Sequence, residues 1–257
     1  LMGWLPSGPP ILKSVMRSIR QMIPLGFKHH KKPLPEQSMP DRSDIDDLKG
    51  QSVVKSEYDN ARTQMGTLGG GNHFIEFQKG TDSRIWFMIH SGSRNLGFKV
   101  AGFYNKMAVE MNKNWKTAFP PSWQLSYLPA DSPEGHRYLT EMTYCVRFAE
   151  HNRRLMSSRV AEALLENVSP DISFEEPINI AHNYAALETH YGKKVYIHRK
   201  GATSAYPGQV GIIPGSQGSQ SYIVCGKGNP ESFSSCFHGA GRKLGRKQAR
   251  NQLHLER

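Results

Sequence analysis

Apolar residues recur at helical spacing in three stretches of the chain, residues 11–23, 96–115 and 132–164. The first stretch stops at a proline, and the third opens with Ser132 followed by a proline. Apolar positions three or four residues apart form one face of an amphipathic helix, and serine followed by proline is typical of a helix start. We therefore expect three helices that pack on a core, with the methionine and aromatic stripe of the second helix as core packing.

Alternating polar and apolar positions predict strands elsewhere. A glycine-rich turn at 66–71 leads into residues 72–77, whose odd and even positions are expected on opposite faces. Residues 84–89 form a second apolar strand, and antiparallel pairing would bring His73 and His90 together at one end. Helices and strands come in blocks instead of alternating, which indicates an α+β fold. Further strands are predicted at 178–181, 210–213 and 222–224, a strand followed by a turn at 195–203, and loops at 27–50 and 117–131.

The composition is that of a folded, basic protein. Its 257 residues, 37% of them hydrophobic, can bury the core of one large domain or of two closely packed ones. Lys and Arg number 33 against 22 Asp and Glu, and the resulting formal charge of +11 favours a polyanionic partner such as nucleic acid. Charge alone does not separate RNA from a membrane surface.

Signals for membrane insertion or secretion are missing from this sequence. No apolar run approaches the roughly 18 residues of a transmembrane span, and the start lacks a signal-peptide pattern. Cysteines are too few and too scattered for a disulfide framework or a zinc ribbon; they are Cys145, Cys225 and Cys236. We therefore expect a soluble, unsecreted protein in a reducing compartment, the cytoplasm or, in a eukaryote, the nucleus. Because Met2 lies behind Leu1, we also expect a fragment of a longer protein.

Two basic clusters leave two interpretations open. Residues 28–32 lie in the first predicted loop, and the third helix carries His151, Arg153, Arg154 and Arg159 on or near its polar face. Either cluster could contact RNA phosphates, or it could contact only solvent, which is the usual fate of a charge run.

His238 is a candidate for phosphate chemistry. It precedes two glycines and a basic run at 242–250, a pattern typical of a loop that opens into a helix. Backbone N–H groups and the positive end of the helix dipole would then face the imidazole, as they do in phosphate sites. On this interpretation His238 is a nucleophile for phosphorus. The alternative is a turn histidine before a solvated basic helix.

Three other histidines lie at ends of predicted strands, beside polar or glycine-containing turns. They are His73, His90 and His182. Neutral imidazoles bind Mn, Zn, Fe or Ni, and three of them without a cysteine pair are more typical of an open catalytic metal site than of a closed structural one. The alternative is that each is a hydrogen-bonded structural histidine.

Six sequence blocks combine these features: residues 66–77, 90–94, 182–184, 199–202, 214–218 and 238–242. Together and in this order they resemble the signature blocks of the RtcB family of RNA-splicing ligases. The resemblance implies an RtcB-like α+β fold, with central mixed or antiparallel sheets flanked by helices, and a single catalytic domain over residues 1–257. It also implies an enzyme that uses GTP and manganese to join RNA ends with a 2′,3′-cyclic phosphate or 3′-phosphate to 5′-hydroxyl ends, in tRNA splicing or RNA repair.

The resemblance implies roles for single residues as well. His238 matches the histidine that attacks GTP and becomes guanylylated, while His73, His90 and His182 match ligands of two manganese ions. The implied partners are GTP and RNA, and a helper or complex protein is left open. Positions that match nucleotide contacts are Asn72, His73, Phe74, Ile75, Glu76, His182, Asn183, Pro214, Gly215, Ser216, Gln217, Ser221, His238, Gly239, Ala240 and Gly241.

This sequence departs from the family's pattern at three places. In the family an Asp and a Cys from a short acidic motif complete the metal site, and a lysine beyond the basic helix contacts guanine. Neither motif is in this sequence, and its cysteines are not at the equivalent place. We therefore expect a chain truncated at both ends that binds manganese poorly by itself. Gln217 stands where many relatives carry Met, a change we expect to be tolerated because backbone atoms can make the phosphate contacts.

Two other functions stay open at this point. A non-catalytic RNA-binding or regulatory relative would keep the basic surface without the metal chemistry. A metal-dependent phosphodiesterase acting on cyclic phosphates would need the metal ligands but not His238.

Overall fold

The computed structural model describes residues 8–117, 120–216, 219–239 and 248 of the chain. The chain divides into two compact units, residues 1–179 and residues 180–257. Gln217, Ala240, Gly241 and nearly all of the basic helix predicted at 242–250 lie outside the described residues.

Helices make up most of the described part of the first unit. Three of them, α1, α4 and α5, are the helices predicted from apolar periodicity, and those predictions are confirmed. Helix α5 begins as its sequence indicates, because the hydroxyl of Ser132 accepts a hydrogen bond of 3.0 Å from the backbone N–H of Gly135. The bounds are Gly8–Met22 for α1, Ser43–Asp46 for α2, Val53–Gln64 for α3, Arg94–Asn114 for α4 and Pro133–Asn167 for α5.

Helices α2 and α3 differ from the sequence analysis. Helix α2 lies inside the stretch predicted as a loop, so that prediction was wrong at these residues, and α3 has no counterpart among the predicted elements. Charged residues interrupt the apolar positions of α3, which hides its period. The helix is capped by Ser52, whose hydroxyl accepts from the N–H of Lys55, and it buries Val54, Tyr58 and Ala61. Tertiary burial therefore decides this helix more than its sequence does.

Two apolar clusters form the core of the first unit as far as its residues are described. One gathers α3, α4 and the first half of α5 around Met65, Tyr104 and Phe148. The other gathers α1 and the second half of α5 around Ile23 and Met156. Helix α5 contributes to both clusters. It is long enough to reach both, because it has 35 residues and an α-helix rises about 1.5 Å per residue. Within the described ranges, the structure has no helix long and apolar enough to cross a membrane.

The predicted hairpin of the first unit is confirmed. Strand β1 is Phe74–Lys79 and β2 is Ile85–His90, and the two pair antiparallel with Phe74 opposite His90. Ile75 and Phe77 pack on the second apolar cluster, as the alternation predicts, together with their partners Ile89 and Phe87.

The described part of the second unit contains short strands. Strand β3 is Asn183–His190, β4 is Lys193–Lys200, β5 is Ala202–Ser204, β6 is Val210–Ile213, β7 is Tyr222–Cys225 and β8 is Ser235–Phe237. The pairs β3–β4, β5–β8 and β6–β7 are all antiparallel. The strand predicted at 178–181 was wrong, because that stretch is irregular and the strand begins only at Asn183. Helices in the described part of the first unit and antiparallel ladders in both units confirm the α+β class.

Candidate functional site

One end of the β1–β2 hairpin carries two of the candidate metal ligands. The pairing of Phe74 with His90 places His73 beside His90, and their ring centroids are 6.0 Å apart. The ring of Phe74 lies 5.4 Å from that of His90. The expectation that antiparallel pairing joins these two histidines is confirmed within the first unit.

A buried asparagine of α5 holds both chain segments that lead to these histidines. The side-chain oxygen of Asn152 accepts hydrogen bonds from the N–H of Gly66, at 2.7 Å, and of Thr67, at 3.2 Å. Its amide nitrogen donates to the hydroxyl of Ser91 and the carbonyl of Gly92, both at 3.2 Å, and to the carbonyl of Thr67. Asn152 is fully buried, so these bonds replace solvent for the groups involved. The glycine turn and the segment after β2 are thereby fixed to the same side chain.

Arg94, at the start of α4, connects the glycine turn to His73. Its guanidinium donates to the hydroxyl of Thr67 at 3.0 Å and lies 3.4 Å from Nδ1 of His73. A guanidinium has only donors, so Nδ1 accepts in this contact. Burial lowers the pKa of Arg94. Gly69 has a φ of +92°, and a Cβ there would collide with the Arg94 guanidinium, so the close approach requires glycine.

Two of the α5 arginines bind protein carbonyl groups, which neither interpretation of the sequence foresaw. Arg153 donates to the carbonyl of Ser91 at 3.1 Å and to the side chain of Asn179 at 2.7 Å. Arg159 donates to the carbonyls of Met22 and Gly66, at 2.9 and 2.8 Å. Burial lowers the pKa of Arg159 and lowers that of Arg153 to about 10. Both arginines are therefore bonded to the protein itself and fasten the segments around the hairpin, so the interpretation as a purely solvated face was wrong for them, while their contact with RNA phosphates stays a prediction.

His238 lies in the second unit, at the end of β8. Its Nδ1 is 2.6 Å from the carbonyl oxygen of Gly201, and its ring stacks on that of His182 with centroids 4.3 Å apart and an interplanar angle of 12°. A carbonyl oxygen only accepts, so Nδ1 carries the proton and Nε2 carries the lone pair of the neutral ring. The structure therefore brings His182 and His238 together, each held against the β4–β5 turn.

The turn between β4 and β5 is built closely around these histidines. The N–H of Gly201 donates to the carbonyl of His182 at 2.8 Å and to the side-chain oxygen of Asn183 at 3.0 Å. Gly201 has a φ of +67°, and a Cβ there would lie 3.1 Å from Cε1 of His238. Asn183, which was predicted to contact the nucleotide, thus accepts a hydrogen bond from the protein's own backbone.

A buried ion pair supports β8, the strand that ends at His238. Arg199 and Glu188 form two hydrogen bonds of 2.5 and 2.9 Å, and the side chains are 1% and 10% exposed. Arg199 also donates to the hydroxyl of Ser235 and to the carbonyl of Phe233, which joins the β3–β4 hairpin to the segment of β8. The hydrogen bonds from Arg199 lower the pKa of Glu188 to about 2. His190, at 2.9 Å from Glu188, completes the network.

The remaining candidate residues fall in two groups. Pro214, Gly215 and Ser216 follow β6 in a loop that closes on itself, because the N–H of Gly215 donates to the hydroxyl of Ser221 at 3.0 Å. In the first unit Asn72 is exposed and Glu76 is half-buried, whereas the side chain of Ile75 packs on the core, so a nucleotide contact at Ile75 would use its backbone. Gly239, which follows His238, is half-buried.

Sequence reasoning missed Asn152 and the pairing of Glu188 with Arg199. A signal for Asn152 existed, because it is a polar residue inside the buried stripe of α5 that includes Ala149 and Met156. A polar residue in such a stripe must find partners within the protein. Glu188 gave no comparable signal, since its strand was not predicted.

Comparison with known proteins identifies the family. A family model described as tRNA-splicing ligase RtcB matches residues 11–257. The chain belongs to the RtcB family. The RNA-splicing ligase RtcB of Escherichia coli strain K12 is 40% identical over 203 residues, covering 77% of this chain and 49% of the relative. The tRNA-splicing ligase RtcB of Thermococcus kodakarensis is 35% identical over 230 residues, covering 76% and 48%. The chain thus spans about half the length of these RtcB relatives.

Proposed function

We propose that the protein is, or is part of, an RNA ligase that joins RNA ends with a 2′,3′-cyclic phosphate or a 3′-phosphate to 5′-hydroxyl ends, using GTP and manganese. Membership of the RtcB family and the names of its relatives support an RNA-splicing or tRNA-splicing ligase. The net charge of +11 supports a polyanionic substrate. The observation that carries the proposal is the hydrogen bond between His238 and Gly201.

This hydrogen bond prepares His238 as a nucleophile. Donation from Nδ1 to the Gly201 carbonyl keeps the lone pair on Nε2 and fixes the plane of the ring. In the proposed step Nε2 attacks the α-phosphorus of GTP, a P–N bond forms, the bond to the β-phosphate oxygen breaks, and pyrophosphate leaves. The ring becomes positively charged as the bond forms, and the Gly201 carbonyl stabilises the proton that stays on Nδ1. The product is a histidine–GMP phosphoramidate, from which GMP is passed to the RNA 3′ end.

His73, His90 and His182 would hold the manganese ions. Neutral imidazoles donate a lone pair to divalent metals, and the rings of His73 and His90 lie side by side with centroids 6.0 Å apart. A metal ion at His73 would take the Nδ1 lone pair that Arg94 contacts in this structure. Bound manganese would supply positive charge against the triphosphate and the RNA phosphate. The residues of the chain supply the orientation, since Asn152 holds the segments of His73 and His90 and the β4–β5 turn holds His182.

Labelled GTP provides a direct test. The full-length protein is incubated with manganese and GTP labelled at the α-phosphate, and protein-bound label is measured before and after mild acid. We expect an acid-labile adduct that His238→Ala abolishes and that His136→Ala, a change at an exposed histidine of α5, leaves intact. An adduct that survives His238→Ala, or no adduct at all, contradicts the proposal. Hydrolysis of a 2′,3′-cyclic phosphate to a phosphomonoester by His238→Ala, without ligation, would instead favour the phosphodiesterase.

A further inference from the structure

One face of the β3–β4 hairpin is exposed, and its side chains suit a nucleic acid. Successive residues of a strand point to opposite faces, and the even-numbered residues of β4 share one face with the odd-numbered residues of β3 through the observed register. All but one of these side chains are exposed, and Ala185 is half-buried. We call this set the hairpin face; it consists of Asn183, Ala185, Leu187, Thr189, Lys194, Tyr196, His198 and Lys200.

The charge of the hairpin face has one sign. Its charged members, Lys194 and Lys200, are both positive, and no Asp or Glu is among its eight positions. The acidic residue of this hairpin is Glu188, which points to the opposite face and forms an ion pair with Arg199. The hairpin face therefore attracts anions without an internal counter-charge.

Apolar and aromatic surface lies between the lysines. Leu187 and Tyr196 are paired across the strands and are 54% and 39% exposed. An exposed tyrosine ring between cations is a platform on which a base can stack while its phosphates meet the lysines. One apolar pair is too small for the apolar centre of a protein interface, which favours nucleic acid over a protein partner.

The hairpin face ends beside the proposed nucleophile. Asn183 and Lys200 are paired at the end of the hairpin that continues into His182 and Gly201, and Gly201 contacts His238. From Lys200 to Lys194 the strand extends about 20 Å at about 3.3 Å per residue. That length matches about six stacked nucleotides at 3.4 Å each.

We propose that the hairpin face is a track for the RNA strand that leads away from the reacting end. This inference rests on the proposed function for the identity of the RNA. The lysines contact phosphates, Tyr196 stacks on a base near the middle, and about six nucleotides next to the joined end are covered. The rigid ion pair between Glu188 and Arg199 on the opposite face holds the track in position.

Neighbouring lysines provide a matched test of the charge. Lys193 and Lys194 are both exposed, are adjacent in β4 and point to opposite faces. We measure the affinity of the protein for a 3′-phosphorylated 12-nucleotide RNA by fluorescence anisotropy at several salt concentrations, without GTP. Lys194→Gln should reduce the slope of log K against log salt by about 0.7, the loss of one contact to a single strand, and Lys193→Gln should leave it unchanged. Equal effects of the two substitutions would overturn the track.

Tyr196 provides the test of stacking. Tyr196→Ala should weaken RNA binding by about tenfold, and Tyr196→Phe, which keeps the ring, should restore most of it. Shortening the RNA to three nucleotides should remove the difference between Tyr196→Ala and the unchanged protein. If Tyr196→Ala binds the long RNA normally, the track is wrong, whether or not the ligase reaction occurs. If the GTP adduct fails to form but these variants still weaken RNA binding, the track stands and the ligase proposal falls.

Discussion

Replacing Asn152 with alanine tests whether one side chain holds the glycine turn and the segment after β2. In the folded protein the Gly66 N–H has its hydrogen bond to Asn152, whereas the Thr67 N–H also donates to Gln64 at 3.2 Å. The substitution therefore leaves one buried N–H without this acceptor, which costs about 1–3 kcal/mol. It also removes bonds to the carbonyls of Thr67 and Gly92, at about 0.5–1.5 kcal/mol each. Together these contributions predict a loss of about 2–6 kcal/mol in the free energy of unfolding.

Two measurements check this expectation. Urea unfolding followed by circular dichroism gives the free energy of unfolding. Amide hydrogen exchange reports the local effect, and the exchange rate should increase most at the N–H groups of Gly66 and Thr67. Because the same segments lead to His73 and His90, the imidazole resonances of both should shift. The control is Asn112→Ala, since Asn112 is also buried but binds the backbone of Ala108 and Tyr127.

Asn112→Ala should lower stability by a similar amount and leave the histidine resonances in place. A loss below about 0.5 kcal/mol for Asn152→Ala, typical of a surface change, would refute the reasoning. So would unchanged exchange at Gly66, or identical histidine shifts in both variants.

Three further outcomes follow from the same contacts. Glu188→Gln should lower stability by about 3 kcal/mol because it leaves the buried Arg199 charge without its partner, as measured by urea unfolding. Hydrogen bonds from Arg199 lower the pKa of Glu188 from its ordinary 4.5 to about 2, so the ionised carboxylate stabilises the fold above pH 4.5 and loses this effect as the pH falls through 2. Glu188→Gln should therefore make stability less dependent on pH between 4.5 and 2. An unchanged pH profile of unfolding would contradict the ion pair. Gly201→Ala should displace His238 and reduce the GTP adduct more than tenfold, with stability reduced by only about 1 kcal/mol, and a normal adduct would show that the close contact is unimportant. Arg159→Gln should destabilise the protein without changing the salt slope of RNA binding, and a reduced slope would mean that this arginine does contact phosphate.

Local pattern was sufficient where an element carries its own signal. The apolar periods of α1, α4 and α5 are long, and the glycine turn before β1 marks the hairpin, so these elements were predictable. The irregular stretch at 178–181 shows the opposite case. It has the composition of a strand, but the strand partner of β4 begins at Asn183, because backbone pairing and not composition sets where a ladder starts.

The sequence by itself determined the α+β class, the principal helices and the histidines that lie at strand ends. It could do so because periodicity, turn chemistry and motif order are properties of neighbouring residues. Only the tertiary structure decided what the polar residues of α5 do and which charges are buried. Asn152 bonds Gly66, which lies 86 positions away in the sequence, and Arg159 bonds Met22, which lies 137 positions away. A local sequence pattern cannot predict contacts between residues so far apart in the chain. Those long-range hydrogen bonds orient the candidate histidines, since a buried polar group must find its partner wherever the fold brings one.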